Sequence, residues 1–299
     1  MASNANIKEI EALVRLIDDP DGIVYSSVMG RLQAIGTDAV PYLNDARLFF
    51  PDPFVQDRID QVIRSINLED VKNSLVRDFE QGCYDLLSSW ITLSSLRYPD
   101  IDDDKIRVGI ARIRSDIWVE LNENLTALEQ VKVFNRIFFE KYGFAANHEN
   151  YHSAQNSFVN KVLESRKGNP LSLSMVYLIV AQALDMPVFG VNLPEHFVLA
   201  YTGRAFDPVT LKMEDNKVLF YINPFGQGQL FSTQGVEKFI KQLKIESSPK
   251  FFNPCDNRIM ILRAINNLVA AYSFSAETEN QKDMEALRDA LEKVIGDLK

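Results

Sequence analysis

The residues best suited to chemistry in this sequence lie in one stretch, residues 156–208. His196 is the only histidine placed between apolar residues of a predicted strand, and Asp207 follows closely in a Phe-Asp-Pro corner. Ser172 stands earlier, near the start of a predicted buried helix. A histidine can act as a general base, and a serine needs one because its unactivated hydroxyl is a poor nucleophile. If the chain has a site, we expect it here.

Other residues that could bind a metal ion or act as nucleophiles have weaker patterns. His148 and His152 have the i, i+4 spacing of two ligands on a helix face, but their Asn- and Ser-rich segment is predicted to be a loop. Cys83 and Cys255 show neither metal-site spacing nor a disulfide framework. Cys83 shares a predicted helix face with apolar residues and is interpreted as a core residue. We therefore expect no metal ion and no cofactor.

The composition is that of a soluble globular protein. The chain has 299 residues, of which 46% are hydrophobic and 24% charged, enough for two ordinary domains or one large one. The net charge of −9 argues against nucleic-acid or membrane partners, because both need a basic protein face. The chain opens directly into a helical pattern without a signal peptide, and no apolar run approaches the roughly 20 residues of a membrane span. These features predict a cytoplasmic protein.

Residues 1–68 are predicted to form a small helical cap. The phrase LIDDPDGIVYSSVMGRLQAIGTDAVPYL resembles a HEAT-type helical repeat, in which Asp caps one helix and a Gly-x-x-Ala-Val-Pro corner starts the next. A degenerate second unit covers residues 54–66. Such a segment can bind a protein partner or simply pack on the next domain, and both interpretations stay open.

Residues 69–255 are predicted to form an α+β domain, and residues 256–299 two closing helices. Thr126 and Glu129 have the spacing of a capping box, and the helix at 171–184 is apolar nearly all round and therefore buried. The segments VFGVNL, HFVLAY, RAFDP and VLFYINPF predict short strands, and their short connections indicate an antiparallel sheet. The other helical patterns lie at residues 70–97, 104–122, 156–166 and 234–244.

The central stretch resembles a known family in several motifs at once. NSFVNKVLESRKGNPLSLSMVYLIVAQALDMPVFGVNLPEHFVLAY, followed by FDP, is similar to the transglutaminase-like domain of the bacterial SirB-type proteins. These proteins are a branch of the transglutaminase/papain-like superfamily. YINPFGQGQLFS and ILRAINNLVAAY match two further family segments, the second through its Arg-x-x-x-Asn-Leu pattern. The resemblance covers about residues 70–275 and implies a buried helix packed on an antiparallel sheet, with the site between them.

The resemblance also implies which residues form that site. In active members of the superfamily a Cys begins the buried helix, a His on a strand takes its proton, and an Asp on the next strand orients the His. Here His196 and Asp207 match the His and the Asp. The Cys position falls at or near Pro170, and the closest hydroxyl groups belong to Ser172 and Ser174. This departure argues against cysteine-protease or transglutaminase activity.

Three functions follow as hypotheses. The first is a binding or regulatory module without cysteine-based catalysis. The second is a hydrolase or acyltransferase that uses Ser172 with His196 and Asp207. The third is a protein-interaction scaffold acting through the helical cap, with residues 256–299 as a vestige of the tetratricopeptide-like repeats of related bacterial proteins. The residues expected to line the cleft are Asn160, Arg166, Asn169, Pro170 and Ser174. Asn160, Arg166 and Asn169 can alternatively cap helix ends and hold the turn, and Ser172 and Ser174 can simply be small residues that let the buried helix approach the sheet.

Overall fold

The helices and strands of the chain are known from a computed structural model that describes residues 4–203 and 218–297. Helices accompany a four-stranded antiparallel sheet, which confirms the predicted α+β class. Within the described residues, no helix is both long and apolar enough to cross a lipid bilayer. The chain divides into two compact units, Met1–Leu75 and Val76–Lys299.

The first unit consists of short helices around its own apolar core. The helices are α1 (Asn4–Val14), α2 (Gly22–Ile35), α3 (Val40–Phe49) and the first part of α4 (Pro53–Glu80). Asp21 caps α2, as the sequence predicts, by accepting the backbone N–H of Ile23. The division between the units and the predicted boundary after residue 68 both fall within α4. The core side chains include Ile10, Leu32, Leu43, Ile59 and Val62.

The prediction of a single helix over residues 70–97 is wrong, because the chain turns in the middle of that segment. The helix α4 ends at Glu80, and α5 begins only at Leu86. Between them Gly82 and Cys83 have positive φ angles of 105° and 53°, which a helix does not allow. Asp85 then caps α5 by accepting the N–H of Ser88. The apolar spacing continues through the break, since Phe79 and Cys83 before α5 and Leu87 and Trp90 within it are all buried.

The second unit contains eight complete helices in its described residues. The capping box predicted at Thr126 and Glu129 is confirmed, with both reciprocal hydrogen bonds present at the start of α7. A π-helical turn at Arg136–Lys141 continues that helix. The eight helices are α5 (Leu86–Ser95), α6 (Asp103–Trp118), α7 (Ala127–Asn135), α8 (Val159–Ser165), α9 (Pro170–Gln182), α10 (Thr233–Gln242), α11 (Asn257–Ser275) and α12 (Thr278–Asp297).

The strands form one small parallel pair and one antiparallel sheet. The parallel pair joins β1 (Ala145–Ala146) to β2 (Lys167–Gly168). The antiparallel sheet has the order β3-β4-β5-β6, as the short connections predict. Its strands are β3 (Val188–Leu193), β4 (His196–Thr202), β5 (Val218–Asn223) and β6 (Gln229–Phe231).

The antiparallel sheet is covered by helices on both faces. The buried helix α9 packs on β3 and β4. On the other face α10 buries Val236 and Ile240 against Val191, Val198 and their neighbours. Because side chains alternate along a strand, neighbouring residues of β4 face different helices. This alternation decides which residues of β4 can reach the start of α9.

Candidate functional site

The start of α9 is held by a reciprocal pair of hydrogen bonds. The Oδ1 atom of Asn169 accepts the backbone N–H of Ser172 at 2.9 Å, and the Oγ of Ser172 accepts the N–H of Asn169 at 3.0 Å. The Ser172 hydroxyl also lies 3.4 Å from the Asn169 carbonyl oxygen, to which it donates. Pro170 occupies the first helical position, where its missing N–H costs nothing. The nearest hydroxyl to the expected nucleophile position therefore has a capping role.

Close packing around Ser172 reinforces this role. Ser172 is only 1% exposed. A Cβ atom on Gly168 would come within 2.5 Å of its Oγ, so glycine is required there for the chain to pass this close. Within the described residues, all hydrogen bonds of the Ser172 side chain go to Asn169. Its predicted role as a nucleophile stays a prediction, and the geometry does not favour it.

A cavity of about 210 Å³ opens above Pro170. It lies where the superfamily resemblance implies a site, between the start of α9, the β3–β4 hairpin and α11. Arg263 and Asn267, the two polar residues of the Arg-x-x-x-Asn-Leu motif, lie one helical turn apart on α11 and both line it. The remaining polar or aromatic lining residues are Tyr151, His152, Ser153, Ser157, Asn169, Glu195 and Phe197.

Hydrogen bonds fix the loop that forms one wall of this cavity. The Nδ2 atom of Asn169 donates to the Oγ of Ser157 at 3.1 Å, and the indole N–H of Trp90 donates to the Ser157 carbonyl at 2.8 Å. Asn156 donates to the carbonyls of Asn150 and Tyr151, at 2.7 and 3.1 Å. The cap of α9 and the loop thus form one connected polar network, so the wall is preformed.

Arg263 is the cation of the cavity. Its guanidinium donates to the Leu193 carbonyl at 2.6 Å and to the Oδ1 of Asn192, which ties α11 to the end of β3. Burial lowers the pKa of Arg263 from its usual value, although arginine stays charged in proteins. No ion pair with a carboxylate is formed by Arg263 within the described residues. Arg263 is partly buried, and a partly desolvated cation that forms no ion pair favours an anionic or strongly polar group nearby.

His196 lies at the start of β4 on the face that α10 covers. Its ring centroid is 5.9 Å from that of Phe239 in α10 and 6.3 Å from that of Phe225. Its neighbour Phe197 points to the opposite face, where Gly190 leaves room for its ring beside Met260 of α11. Accordingly Phe197, and not His196, lines the cavity above Pro170.

The hydrogen-bond partner of His196 in the described residues is Asn223, on the neighbouring strand β5. The two side chains are 3.2 Å apart, from Nε2 to Oδ1. Burial lowers the pKa of His196, and the hydrogen bond to Asn223 opposes that effect. Asn223 was missed by the sequence analysis; its signal is the Asn-Pro that ends β5 in the YINPF motif. Asp207, the predicted partner, lies outside the described residues.

The structure separates the five residues predicted to line the cleft. Asn169 and Pro170 line the cavity above α9, whereas Asn160 and Arg166 line a different cavity between α6 and α8. Arg166 ends α8 with a left-handed backbone, φ 57°, and its guanidinium lies over the rings of Phe144 and Tyr142. Ser174 is fully buried within α9, and its hydroxyl donates to the Pro170 carbonyl at 2.7 Å.

The two thiols are not activated, and the two loop histidines pack against aromatic rings. Burial raises the pKa of both Cys83 and Cys255 to about 12, so neither is a thiolate near neutral pH. His148 packs on Phe225, and His152 stacks on Phe274. No group of three or more His, Cys, Asp or Glu residues is placed to hold a metal ion among residues 4–203 and 218–297.

Comparison with known proteins covers this same region. A family model described as Transglutaminase-like superfamily matches residues 104–266, more than half of the chain. The UPF0162 protein of Xylella fastidiosa (strain 9a5c) is 28% identical over 198 residues, which are 63% of this chain and 65% of that protein. The UPF0162 protein of Vibrio cholerae is 24% identical over 197 residues, 65% of this chain and 68% of that protein.

A similar domain lies within a much larger protein. F-box only protein 21 of Mus musculus is 28% identical over 158 residues, which are 53% of this chain but 24% of that protein. The chain also spans slightly less than two thirds of the Xylella relative, 65% of its length. No solved structure matches the chain.

Proposed function

The chain belongs to the transglutaminase-like superfamily, and we propose that its domain is a binding or regulatory module that works without a cysteine nucleophile. The observation that carries this proposal is the first turn of α9. Pro170 stands where the superfamily resemblance implies the catalytic Cys, and the neighbouring Ser172 hydroxyl is used in the helix cap. The high pKa values of both cysteines, about 12, give no replacement thiolate.

The ligand of this module is a polar group about the size of one amino-acid side chain. The cavity above Pro170 has a volume of about 210 Å³. Pockets for complete drug-sized molecules are larger, about 300 Å³ or more, so this one suits part of a larger ligand. Arg263 and Asn267 supply donors on one wall, and Phe197 supplies an apolar surface. These groups suit a carboxylate or a carboxamide on a short apolar stem, such as a Glu or Gln side chain of a peptide.

Turnover assays test the absence of catalysis. Peptide, amide and ester substrates are incubated with the wild-type protein and with His196→Ala. We expect no turnover above the rate of the buffer alone with either protein. Robust turnover that His196→Ala abolishes would overturn the proposal.

Binding is tested by NMR titration of the labelled protein with the N-acetyl N′-methylamides of glutamate, glutamine and norvaline, which differ only in the side chain. We expect the first two to shift signals around Pro170 and the third, which lacks the polar end, to bind about tenfold more weakly. Asn267→Leu should weaken the binding of both polar ligands. Asn266→Leu is the matched control, because Asn266 is exposed beside it and does not line the cavity. Equal effects of the two variants would contradict the assignment of this cavity.

A hydrolase or acyltransferase using Ser172, His196 and Asp207 is the second candidate. The low pKa of His196 favours it, because a neutral imidazole is the form that accepts a proton. The capping bonds of Ser172 argue against it. This function would replace the first if Ser172→Ala and His196→Ala each abolished an activity that Ser174→Ala retained.

A protein-interaction role of the first unit is the third candidate. Leu48 and Phe49, at the end of α3, and Phe54, at the start of α4, are exposed by 82%, 78% and 58%. Apolar side chains exposed together favour a protein partner. Because α4 runs through the boundary between the units, charge substitutions Leu48→Glu and Phe49→Glu in the full chain test this better than truncation. If the same proteins co-purify with both variants as with the wild type, this interaction role is contradicted.

A further inference from the structure

A second cavity, of about 890 Å³, lies between α6, α8 and the segment that joins α5 to α6. It shares no lining residue with the cavity above Pro170. Its volume falls within the range of about 300–1,000 Å³ of complete small-molecule sites.

Three arginines line this cavity without a carboxylate partner. Arg97, Arg112 and Arg166 form no ion pair within the described residues, although the cavity also has acidic residues. Two of these acids are occupied elsewhere: Asp102 accepts the N–H of Lys105 as the cap of α6, and Glu164 pairs with Lys161 at 2.8 Å. Asp100 is the third acid; it is exposed, as are Arg97 and Arg112, whereas Arg166 is partly buried. The excess of unpaired guanidinium groups favours a negatively charged ligand.

Of the three arginines, Arg166 has the surroundings best suited to binding an anion. Its guanidinium lies over the rings of Phe144 and Tyr142, at 5.0 and 5.7 Å from their centroids. Within the part of the chain that the structure describes, one of its Nη atoms is buried without a hydrogen-bond partner, and the same holds for the Oδ1 of Asn160, which lines the same cavity. A buried donor without an acceptor destabilises a protein by about 1–3 kcal/mol, so this arrangement is unfavourable unless something binds there. The left-handed backbone of Arg166, φ 57°, adds to that cost.

The remaining wall is apolar and open. Tyr98, Ile101 and Val108 supply apolar surface, and the apolar side chain of Val108 is exposed to solvent. Gly109 lies on the same side of α6 as Lys105 and Arg112, and a Cβ atom placed on it would meet nothing within 4 Å. There is therefore free space against α6 next to the arginines.

We propose that this cavity binds an organic anion, with a carboxylate or phosphate group held by Arg97, Arg112 and Arg166 and an apolar body against Tyr98, Ile101 and Val108. Arginine suits this task because its planar fork of donors matches both groups. This site lies apart from the cavity above Pro170 and does not depend on the function proposed for that cavity.

Titration calorimetry with hexanoate, phenyl phosphate and uncharged hexanamide tests the proposal on the full chain. We expect at least one of the anions to saturate one site below about 10 mM, and hexanamide to bind about tenfold more weakly. Tighter binding of phenyl phosphate would identify a phosphate ligand, and tighter binding of hexanoate a carboxylate ligand. Failure of both anions to saturate, or equal binding of hexanamide, would overturn the proposal.

Substitutions locate the binding. Arg112→Gln and Arg166→Gln should each weaken the anion about fivefold or more. Arg107→Gln is the matched control: it removes the same charge from α6, but Arg107 pairs with Asp103 at 2.7 Å and does not line the cavity. Gly109→Leu should also block binding while it retains every charge and favours the helix. An equal loss with Arg107→Gln, or full binding by Gly109→Leu, would show that the anion does not bind in this cavity.

Discussion

The Nε2 atom of His196 lies 3.2 Å from the Oδ1 atom of Asn223 on the neighbouring strand. The same oxygen accepts the backbone N–H of Gly226 at 3.1 Å, which fixes the orientation of the Asn223 amide. Because an oxygen faces the ring, Nε2 must carry the hydrogen, and in the neutral ring Nδ1 then has the free lone pair. Papain-like proteases use an Asn to orient their His in the same way. Here the pair lies on the face of the sheet that α10 covers, so the geometry supports a structural role.

The burial of His196 should be visible in the pH dependence of the protein's stability. The pKa of His196 is lowered from its ordinary 6.5, chiefly by desolvation, so the unfolded chain binds the proton more readily than the folded chain. The contribution of His196 to the free energy of unfolding should therefore be fully present above pH 6.5 and should be lost as the pH falls below it. The variant His196→Gln should lose less free energy of unfolding over the same fall in pH, because it has no imidazole to protonate. Urea denaturation of both proteins from about pH 8 to 5 measures the difference, and a difference that is constant with pH would contradict the assignment.

A cysteine placed at position 170 tests whether the start of α9 can still lower the pKa of a thiol. We expect Pro170→Cys to have a thiol pKa clearly below the ordinary value of about 8.5, because the helix N-terminus and nearby Arg263 favour the thiolate. Alkylation by iodoacetamide across pH measures it. The wild type is the control, since Cys83 and Cys255 have pKa values of about 12.

The same variant tests the position of His196. Because His196 faces α10, adding His196→Ala to Pro170→Cys should leave the alkylation profile unchanged. A clear rise in the thiol pKa in the double variant would instead show that His196 stabilises the thiolate, and would revive the catalytic interpretation.

The cap of α9 gives a prediction that compares two buried serines of one helix. Ser172→Ala should destabilise the protein by about 1–2 kcal/mol, because it leaves the buried Asn169 N–H without its acceptor. Ser174→Ala should have a much smaller effect, because the Pro170 carbonyl is a helix acceptor without that hydroxyl. Chemical denaturation measures both. Equal losses would show that Ser172 has no special role in the cap.

The sequence predicted those features that depend on local pattern. The capping box at Thr126, the all-round burial of α9 and the antiparallel hairpin of β3 and β4 follow from residue spacing and turn residues. Arg263 and Asn267, which line the cavity above Pro170, belong to the Arg-x-x-x-Asn-Leu pattern of the family resemblance, although that pattern alone assigned them no role in a site.

Features that depend on three-dimensional neighbours were not predictable in the same way. The pairing of His196 with Asn223 requires the register between β4 and β5, which no local pattern sets. The break after α4 depends on the left-handed backbone of Cys83, and a cysteine in the sequence does not predict that conformation. The arginines of the second cavity come from three segments that only the packing of α6 and α8 brings together.

The turn between β3 and β4 stores strain beside the candidate site, and this strain can be measured. Leu193 pairs with His196, so Pro194 and Glu195 form a two-residue turn, and Glu195 has φ 57°. A non-glycine residue in this region costs about 1–2 kcal/mol, which glycine does not. We expect Glu195→Gly to be about 1 kcal/mol more stable than Glu195→Ala, since both variants lose the carboxylate and only one relieves the backbone.

Thermal unfolding of the two variants should then differ by about 2–4 °C, with Glu195→Gly the more stable. The wild type adds a second comparison, because the Glu195 carboxylate lines the cavity that contains Arg263. If Glu195→Gly is also more stable than the wild type, the carboxylate contributes little to folding, and its place at the cavity is better explained by ligand binding. If both variants are equally destabilised, the backbone of residue 195 is not strained and the carboxylate itself stabilises the hairpin.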